Sequence, residues 1–165
     1  MFTIQARIEK KYQLSAEKNR LYEFFSDINS YPRYMPDIFH KVEPIKGTVS
    51  LWTLKIDVSA GSPLVVKVEL DKKGDEASLI AYEPLTNSQN HLALKIKLGE
   101  SSLGLSKTDL IFILEIKLER NRSSEVHPLA GLLGEKAINK IVQKHAEGYI
   151  DDFVKSGEEK AARKR

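Results

Sequence analysis

Over most of its length this chain alternates apolar and polar residues one by one, and only two stretches switch to a helical period. Phe2, Ile4, Ala6, Ile8, Tyr12 and Leu14 alternate with Thr3, Gln5, Arg7, Glu9, Lys11 and Gln13, and Lys10 alone breaks the apolar side. That pattern predicts one long half-buried strand. Ser15 then offers a helix N-cap, with Glu17 in the first turn favoured by the helix dipole. Lys18 stands where a capping box would place Glu or Gln. Leu21, Phe24, Phe25 and Ile28 give one apolar face of a short helix. Asn29, Ser30 and Pro32 interrupt it, Tyr31 to Met35 reads as a second short helical turn, and Pro36 closes the segment.

The middle of the chain returns to period two. Residues 38–45 form one expected strand, closed by a Lys46-Gly47 turn. Trp52, Leu54, Ile56 and Val58 alternate with Thr53, Lys55 and Asp57, and Gly61-Ser62-Pro63 turns the chain. Leu64, Val66, Val68 and Leu70 alternate with Lys67, Glu69 and Asp71, and Lys73-Gly74-Asp75 turns it again. Ala77 to Glu83 is a short strand. Leu92, Leu94, Ile96 and Leu98 form another, and Leu110, Phe112, Leu114, Ile116 and Leu118 the last. One polar and one apolar face throughout, with hairpin-length connections, is the antiparallel pattern.

The helical period returns after Asn121-Arg122-Ser123-Ser124. From Glu135 to Val154, Ala137, Ile138, Ile141, Val142, His145, Ala146, Tyr149 and Phe153 fall on one side. A one-sided helix of about twenty residues needs a wide apolar surface to lie on, and the strands supply it. Leu129, Leu132 and Leu133 point nearly opposite to Ile138, Ile141 and His145. Either Gly131 and Gly134 break the helix between them, or these leucines cover a different surface, as a lid, a partner contact or packing on the sheet rim.

The chain has 165 residues, 41% hydrophobic and 30% charged, the size and composition of one globular domain. No apolar run approaches membrane-spanning length, and the first residues lack the apolar stretch of a secretory signal. Cysteine is absent, which removes disulfides and thiolate chemistry; a cytoplasmic location is the expectation. With 26 basic and 23 acidic residues the net charge is +3, which is not a nucleic-acid signature. The excess gathers in the tail at Lys160, Arg163, Lys164 and Arg165. Residues 158–165 are read as a frayed charged end, with a weak electrostatic contact to anionic lipid or RNA as the sharper alternative.

The four histidines, His40, His91, His127 and His145, form no metal spacing. There is no phosphate loop and no nucleophile elbow, and no cofactor or metal is expected. One polar cluster suits chemistry: His145, Tyr149 and Asp152 lie at i, i+4 and i+7. An imidazole beside a phenol and a carboxylate suits a general base with an orienting partner, though such residues more often lie satisfied at a core edge. Gly148 on the same side allows close approach of the sheet or a ligand. Trp52, Leu54, Ile56, Val66, Val68, Leu94, Ile96, Phe112 and Leu114 share the inward phase of the strands. Tyr12, Ser78, Tyr82 and Thr108 are polar points among them. Together with Ile141, His145 and Tyr149 they either fill a core or line a pocket for an aliphatic or isoprenoid chain with one polar head.

The segment Asp27-Ile28-Asn29-Ser30-Tyr31-Pro32-Arg33-Tyr34-Met35-Pro36 resembles the START-like superfamily, in particular its polyketide cyclase/dehydrase and coenzyme Q-binding branches. There an aspartate ends the first helix, a Tyr-Pro pair follows, and an aromatic, a Met or Leu and often a Pro come next. The order strand, two short helices, six strands, long helix is similar to theirs over residues 1–157. The resemblance implies an α+β helix-grip fold: a curved seven-stranded antiparallel sheet around a long C-terminal helix, with an internal apolar cavity. It implies binding or transport of a hydrophobic ligand such as a fatty acid, an isoprenoid or another lipid. The alternatives are a cyclase- or dehydratase-type enzyme with His145 as base, and a protein-interaction module. A monomer or weak homodimer is expected.

Overall fold

The alternating segments form strands and the two helical stretches form helices. The computed structural model describes all residues except 59–62, 75–77, 87–88, 105 and 164–165. Its elements are β1 (Phe2–Leu14), α1 (Lys18–Ser26), α2 (Ser30–Tyr34), β2 (Phe39–Lys46), β3 (Val49–Ile56), β4 (Leu64–Lys73), β5 (Leu79–Pro84), β6 (Asn90–Glu100), β7 (Thr108–Arg120), α3 (Ala130–Leu133) and α4 (Glu135–Ala162). The Gly61-Ser62 turn, Asp75 of the next turn, Ala77 of the expected fifth strand, and Lys164 and Arg165 of the tail lie outside the described residues.

The strands make one antiparallel sheet in the order β1-β7-β6-β5-β4-β3-β2. β2 to β7 run as a meander, and β1 returns to pair with β7 from Phe2 opposite Arg120 to Leu14 opposite Thr108. Ile4, Ile8, Leu92, Leu94, Ile96, Leu110, Phe112, Leu114 and Leu118 are buried on the inner face, which is what period-two alternation requires. Among the described residues no helix is long and apolar enough to cross a membrane.

β1 is an edge strand, and an edge presents unpaired main-chain groups. α4 covers it with a row of polar side chains one turn apart. Thr3 N donates to Glu135 Oε1 at 2.9 Å and Gln5 N to Asn139 Oδ1 at 2.9 Å. Gln143 Nε2 donates to Arg7 O at 3.1 Å. Further along, Lys10 Nζ lies 2.8 Å from both Asp151 carboxylate oxygens and Tyr12 Oη donates to Asp151 Oδ1 at 2.5 Å. Ser15 N donates to Glu158 Oε2 at 2.8 Å. These bonds are solvent-exposed, so each contributes only about 0.5–1.5 kcal/mol. Burial of Ile138, Val142, Ile150 and Phe153, at roughly 1.5–3 kcal/mol each, drives docking, and the polar row fixes the helix in position.

Two sequence expectations are corrected here. Ser15 is not the N-cap of α1: its main-chain N–H is held by Glu158 and its Oγ accepts from Lys107 Nζ at 2.8 Å, and the helix begins at Lys18 with Glu17 as N-cap. The tail is not frayed from residue 158. α4 continues to Ala162, Ala161 is buried, and Arg20 Nη1 donates to Ala161 O and Arg163 O at 3.3 Å each, satisfying carbonyls a helix end otherwise leaves open. Between α3 and α4, Gly134 takes φ +83°, which breaks the helix between the leucines and α4.

Two glycines of α4 test this packing. A Cβ at Gly157 would lie 2.7 Å from Phe25 Cζ and 2.9 Å from Phe24 Cδ1, and both rings are pinned by Phe153. Gly157→Ala is expected to lose roughly 1–3 kcal/mol. Gly148 faces open space, so Gly148→Ala is expected to gain about 0.5–1 kcal/mol from helix propensity. Chemical denaturation of both variants checks the pair; equal stability of Gly157→Ala and the parent chain would contradict the close approach.

Asp151 gives a pH test. Burial pushes its carboxyl up, but the hydrogen bonds from Lys10 and Tyr12 and the charge of Lys10 outweigh that and hold it below its ordinary value of 3.8. A depressed folded-state value means its contribution is present above the unfolded-state value and is lost as pH falls through the folded-state one. Asp151→Asn should therefore be less stable than the parent at neutral pH, with the gap closing below about pH 4. A gap independent of pH would show that the carboxylate charge is not what holds Lys10 and Tyr12.

Candidate functional site on the inner face of the grip

The strand residues expected to face inward do so together. Trp52, Leu54, Ile56, Val66, Val68, Tyr82, Leu94, Ile96, Phe112 and Leu114 are all buried on the concave face opposite α4. The helix residues are placed differently. Val142, Ala146, Ile150 and Phe153 point inward. Ile141 and Tyr149 are half-buried, and His145 is exposed. His145 and Tyr149 keep a ring contact at 6.2 Å, but Asp152 and Gly148 are exposed beside them. The expected inward cluster of His145, Tyr149 and Asp152 is therefore corrected: the row bonded to β1 turns α4 so that these residues look outward.

The space between helix and sheet is filled by aromatic side chains. Tyr31, from α2, reaches into the centre. Its ring lies 5.6 Å from Phe39, 5.0 Å from Trp52, 5.9 Å from Tyr82 and 5.0 Å from Phe153. Phe153 in turn meets Phe25 at 5.4 Å and Phe112 at 6.2 Å. Separations of this kind are those of offset and edge-to-face aromatic pairs. Trp52, Leu54, Tyr82, Leu94, Ile96, Phe112 and Leu114 are each at most 1% exposed. A wall facing a void wide enough for water would retain accessible surface, so this part of the interior is closed. The hollow grip expected from the sequence is here a packed one.

The polar groups within it are already engaged. Tyr31 Oη donates to Phe25 O at 2.6 Å and Tyr82 Oη to Ser26 O at 3.2 Å. These are the last carbonyls of α1, which a helix end leaves without partners. Burial first, with Asp27 and a second tyrosine adding, holds both phenols above their ordinary value, so they remain neutral donors. Trp52 Nε1 donates to Ser50 Oγ and Thr108 Oγ1 to Ala16 O, each at 2.8 Å. No Asp, Glu, Lys or Arg is buried among the described residues. Of the other expected polar points, Tyr12 bonds Asp151 at the edge.

At the rim, Tyr149 has a raised phenol, by burial first and then by the carboxylates of Asp37 and Asp57. Those two residues follow α2 and β3, which places the Tyr149 flank of α4 towards the β2–β3 side. Two clefts lie outside the grip. One of about 830 Å³ on the outer sheet face includes Arg7, His91 and Glu115. Another of about 1010 Å³ at the far end of α4 includes Arg20, Arg33, Tyr34 and Lys160. No group of three His, Asp or Glu able to hold a metal occurs among the described residues. Sequence reasoning missed Tyr31 and Phe39 as parts of the inner site. Tyr31 stood in the recognised Tyr-Pro segment, but a single helical turn is too short to carry a period that shows where a residue points.

The chain matches no family model and no curated protein. Among solved structures it is similar to the Zhui aromatase/cyclase of a Streptomyces species, at TM-score 0.68 and 18% identity over 96% of this chain and 94% of that one. It is similar to the di-domain aromatase/cyclase BexL of the BE-7585A biosynthetic pathway, at TM-score 0.68 and 11% identity over 98% of this chain and 52% of that one. It is also similar to ginseng major latex-like protein 151, at TM-score 0.57 and 9% identity over 97% of this chain and 99% of that one. These likenesses show the helix-grip fold, which is the fold that the resemblance of the Asp27–Pro36 segment implies.

Two substitutions separate the inner hub from the outer histidine. Tyr31→Phe leaves the buried Phe25 carbonyl without its donor and should lose roughly 1–3 kcal/mol. His145→Gln, on an exposed face, should stay within about 0.5 kcal/mol of the parent. Thermal and denaturant unfolding of the two variants checks the contrast, and a large loss at His145 would return that residue to the core.

Proposed function

We propose that the protein binds a hydrophobic small molecule, taken up between the sheet and α4. One observation carries this reading: the layer separating α4 from the concave face is made of uncharged, mostly aromatic side chains. Among the described residues, α4 runs closest to the sheet backbone along β1. Elsewhere the gap is spanned by Tyr31, Phe112 and Phe153, and a gap filled by side chains can be refilled by a ligand when they turn aside. The likeness to proteins named as aromatase/cyclases and as a major latex-like protein supports the same reading. A fatty acid, an isoprenoid or a polycyclic aromatic molecule has the matching chemistry.

Because the interior is closed, the apparent affinity is lowered by the fraction of molecules that are open. Entry along the half-buried flank of Ile141 and Tyr149 requires the least disturbance, since the opposite flank is bonded to β1. The aromatase/cyclase neighbours favour a second reading, a cyclase-type enzyme acting on an aromatic or polyketide substrate. His145 would not serve it as a base from its outward position. Turnover of such a substrate that His145→Gln abolishes in a folded protein would establish that enzyme and its base.

Trp52 is the single tryptophan of the chain and sits inside the aromatic cluster, so its emission reports on the interior. Long-chain fatty acids, isoprenoids and polycyclic aromatics are expected to shift that emission and raise Tm, because a ligand of the folded state stabilises it by mass action. Phe153→Ala opens space at a cost of roughly 3–5 kcal/mol, and it should bind the same compounds more tightly than the parent. No shift in emission or Tm with any of them, in the parent or in Phe153→Ala, would overturn the binding reading.

A further inference from the structure

We infer that α3 and the first half of α4 form a surface that docks on an anionic lipid membrane. Leucines elsewhere in this chain are mostly sealed in the sheet, yet Leu129, Leu132 and Leu133 are 51%, 87% and 40% exposed on and beside a four-residue helix. Leucines so displayed on a small domain mark a contact site. Gly134 turns the chain directly into α4, where Lys136, Lys140 and Lys144 follow at four-residue intervals, one exposed stripe along the helix. Among the described residues none of the three lysines makes an ion pair, although the chain has 23 acidic residues. The nearest carboxylates on that flank are spent elsewhere: Glu135 on the Thr3 N–H and Glu147 on Gln143.

Apolar side chains beside a row of free lysines have the chemistry of a membrane-surface contact, the leucines entering below the headgroups and the lysines meeting their phosphates. A second copy of the chain fits less well, because a two-fold contact through the leucines brings two uncompensated lysine rows to one interface. The basic tail is not part of this surface. Lys160 lies about 36 Å along the helix from Lys136, and its ammonium rests near the Tyr34 ring.

Co-sedimentation of the full chain with vesicles tests the surface, using phosphatidylcholine alone and phosphatidylcholine with about one third phosphatidylserine. Binding is expected to the anionic vesicles and to weaken as salt is raised. Leu132→Ser combined with Leu133→Ser should lower it roughly tenfold or more, with Tm unchanged because both sites are exposed. Replacing Lys136, Lys140 and Lys144 by Gln should erase the preference for phosphatidylserine, whereas Lys160→Gln with Arg163→Gln should leave it. Equal binding to both vesicle types, retention by the leucine variant, or loss through the tail variant would overturn the assignment. So would a dimer in sedimentation equilibrium that the leucine variant dissolves. The assay contains no interior ligand, so its failure leaves the binding of a small molecule inside the grip standing, and the converse also holds.

Discussion

The exposed edge of β1 is the constraint on which the rest depends. A seven-stranded sheet that curls into a grip still has two edges, and the first strand of the chain is one of them. Its outward main-chain groups are met by Glu135, Asn139 and Gln143 at one-turn intervals, and Asp151 and Glu158 continue the row against Lys10, Tyr12 and Ser15. A helix bonded in this way cannot roll. Its rotation decides that Ile138, Val142, Ala146 and Ile150 look inward, that Ile141 and Tyr149 stand at the rim, and that His145 looks out. The same row spares the edge strand from pairing with another chain.

With α4 fixed along one side, the remaining width of the concave face must be filled by whatever side chains can reach across it. Tyr31 and Phe153 do so, one from α2 and one from the helix itself, and they link α1, β2, β3, β5 and β7 through ring contacts. Tyr31 and Tyr82 also close the C-terminal end of α1. Opening the interior therefore involves α1 as well as the aromatic rings: turning Tyr31 aside releases a buried carbonyl along with the ring contacts. That coupling makes a closed state the resting one and gives α1 and α2 a part in any uptake.

The sheet was legible in the sequence because period-two alternation is a property of each strand alone, and every expected strand lies within an observed one apart from short ends and the undescribed residues. A break at Gly131 and Gly134 was one of two readings the sequence left open, and the positive φ of Gly134 decides it. The phase of α4 was only half legible. Its apolar residues cover a wide arc, so hydrophobicity alone admits a centre near Ile141 and His145 as readily as one near Val142 and Ala146; the bonds to β1, from residues more than a hundred positions away, choose the second. Ser15 and the tail failed likewise. A local capping rule at Ser15 lost to Glu158, and a charged terminus that reads as solvated is held by Arg20.

The fastening of α4 has a consequence for how such a molecule opens. The helix is bonded to β1, packed on α1 and adjoined by α3, while its flank of Ile141 and Tyr149 faces the segment around Asp37 and Asp57. A rigid helix held along one side yields at the other, so widening is expected on the β2–β3 side of the grip. β2 is also the second edge of the sheet, and its pairing with β3 is interrupted at Phe39/Lys41 and at Pro44/Lys46. Irregular pairing weakens a ladder and lets a strand bend. Phe39, which packs against Tyr31 and Trp52, sits beside the first of these interruptions, so an irregular part of the sheet lies against the aromatic hub that closes the interior.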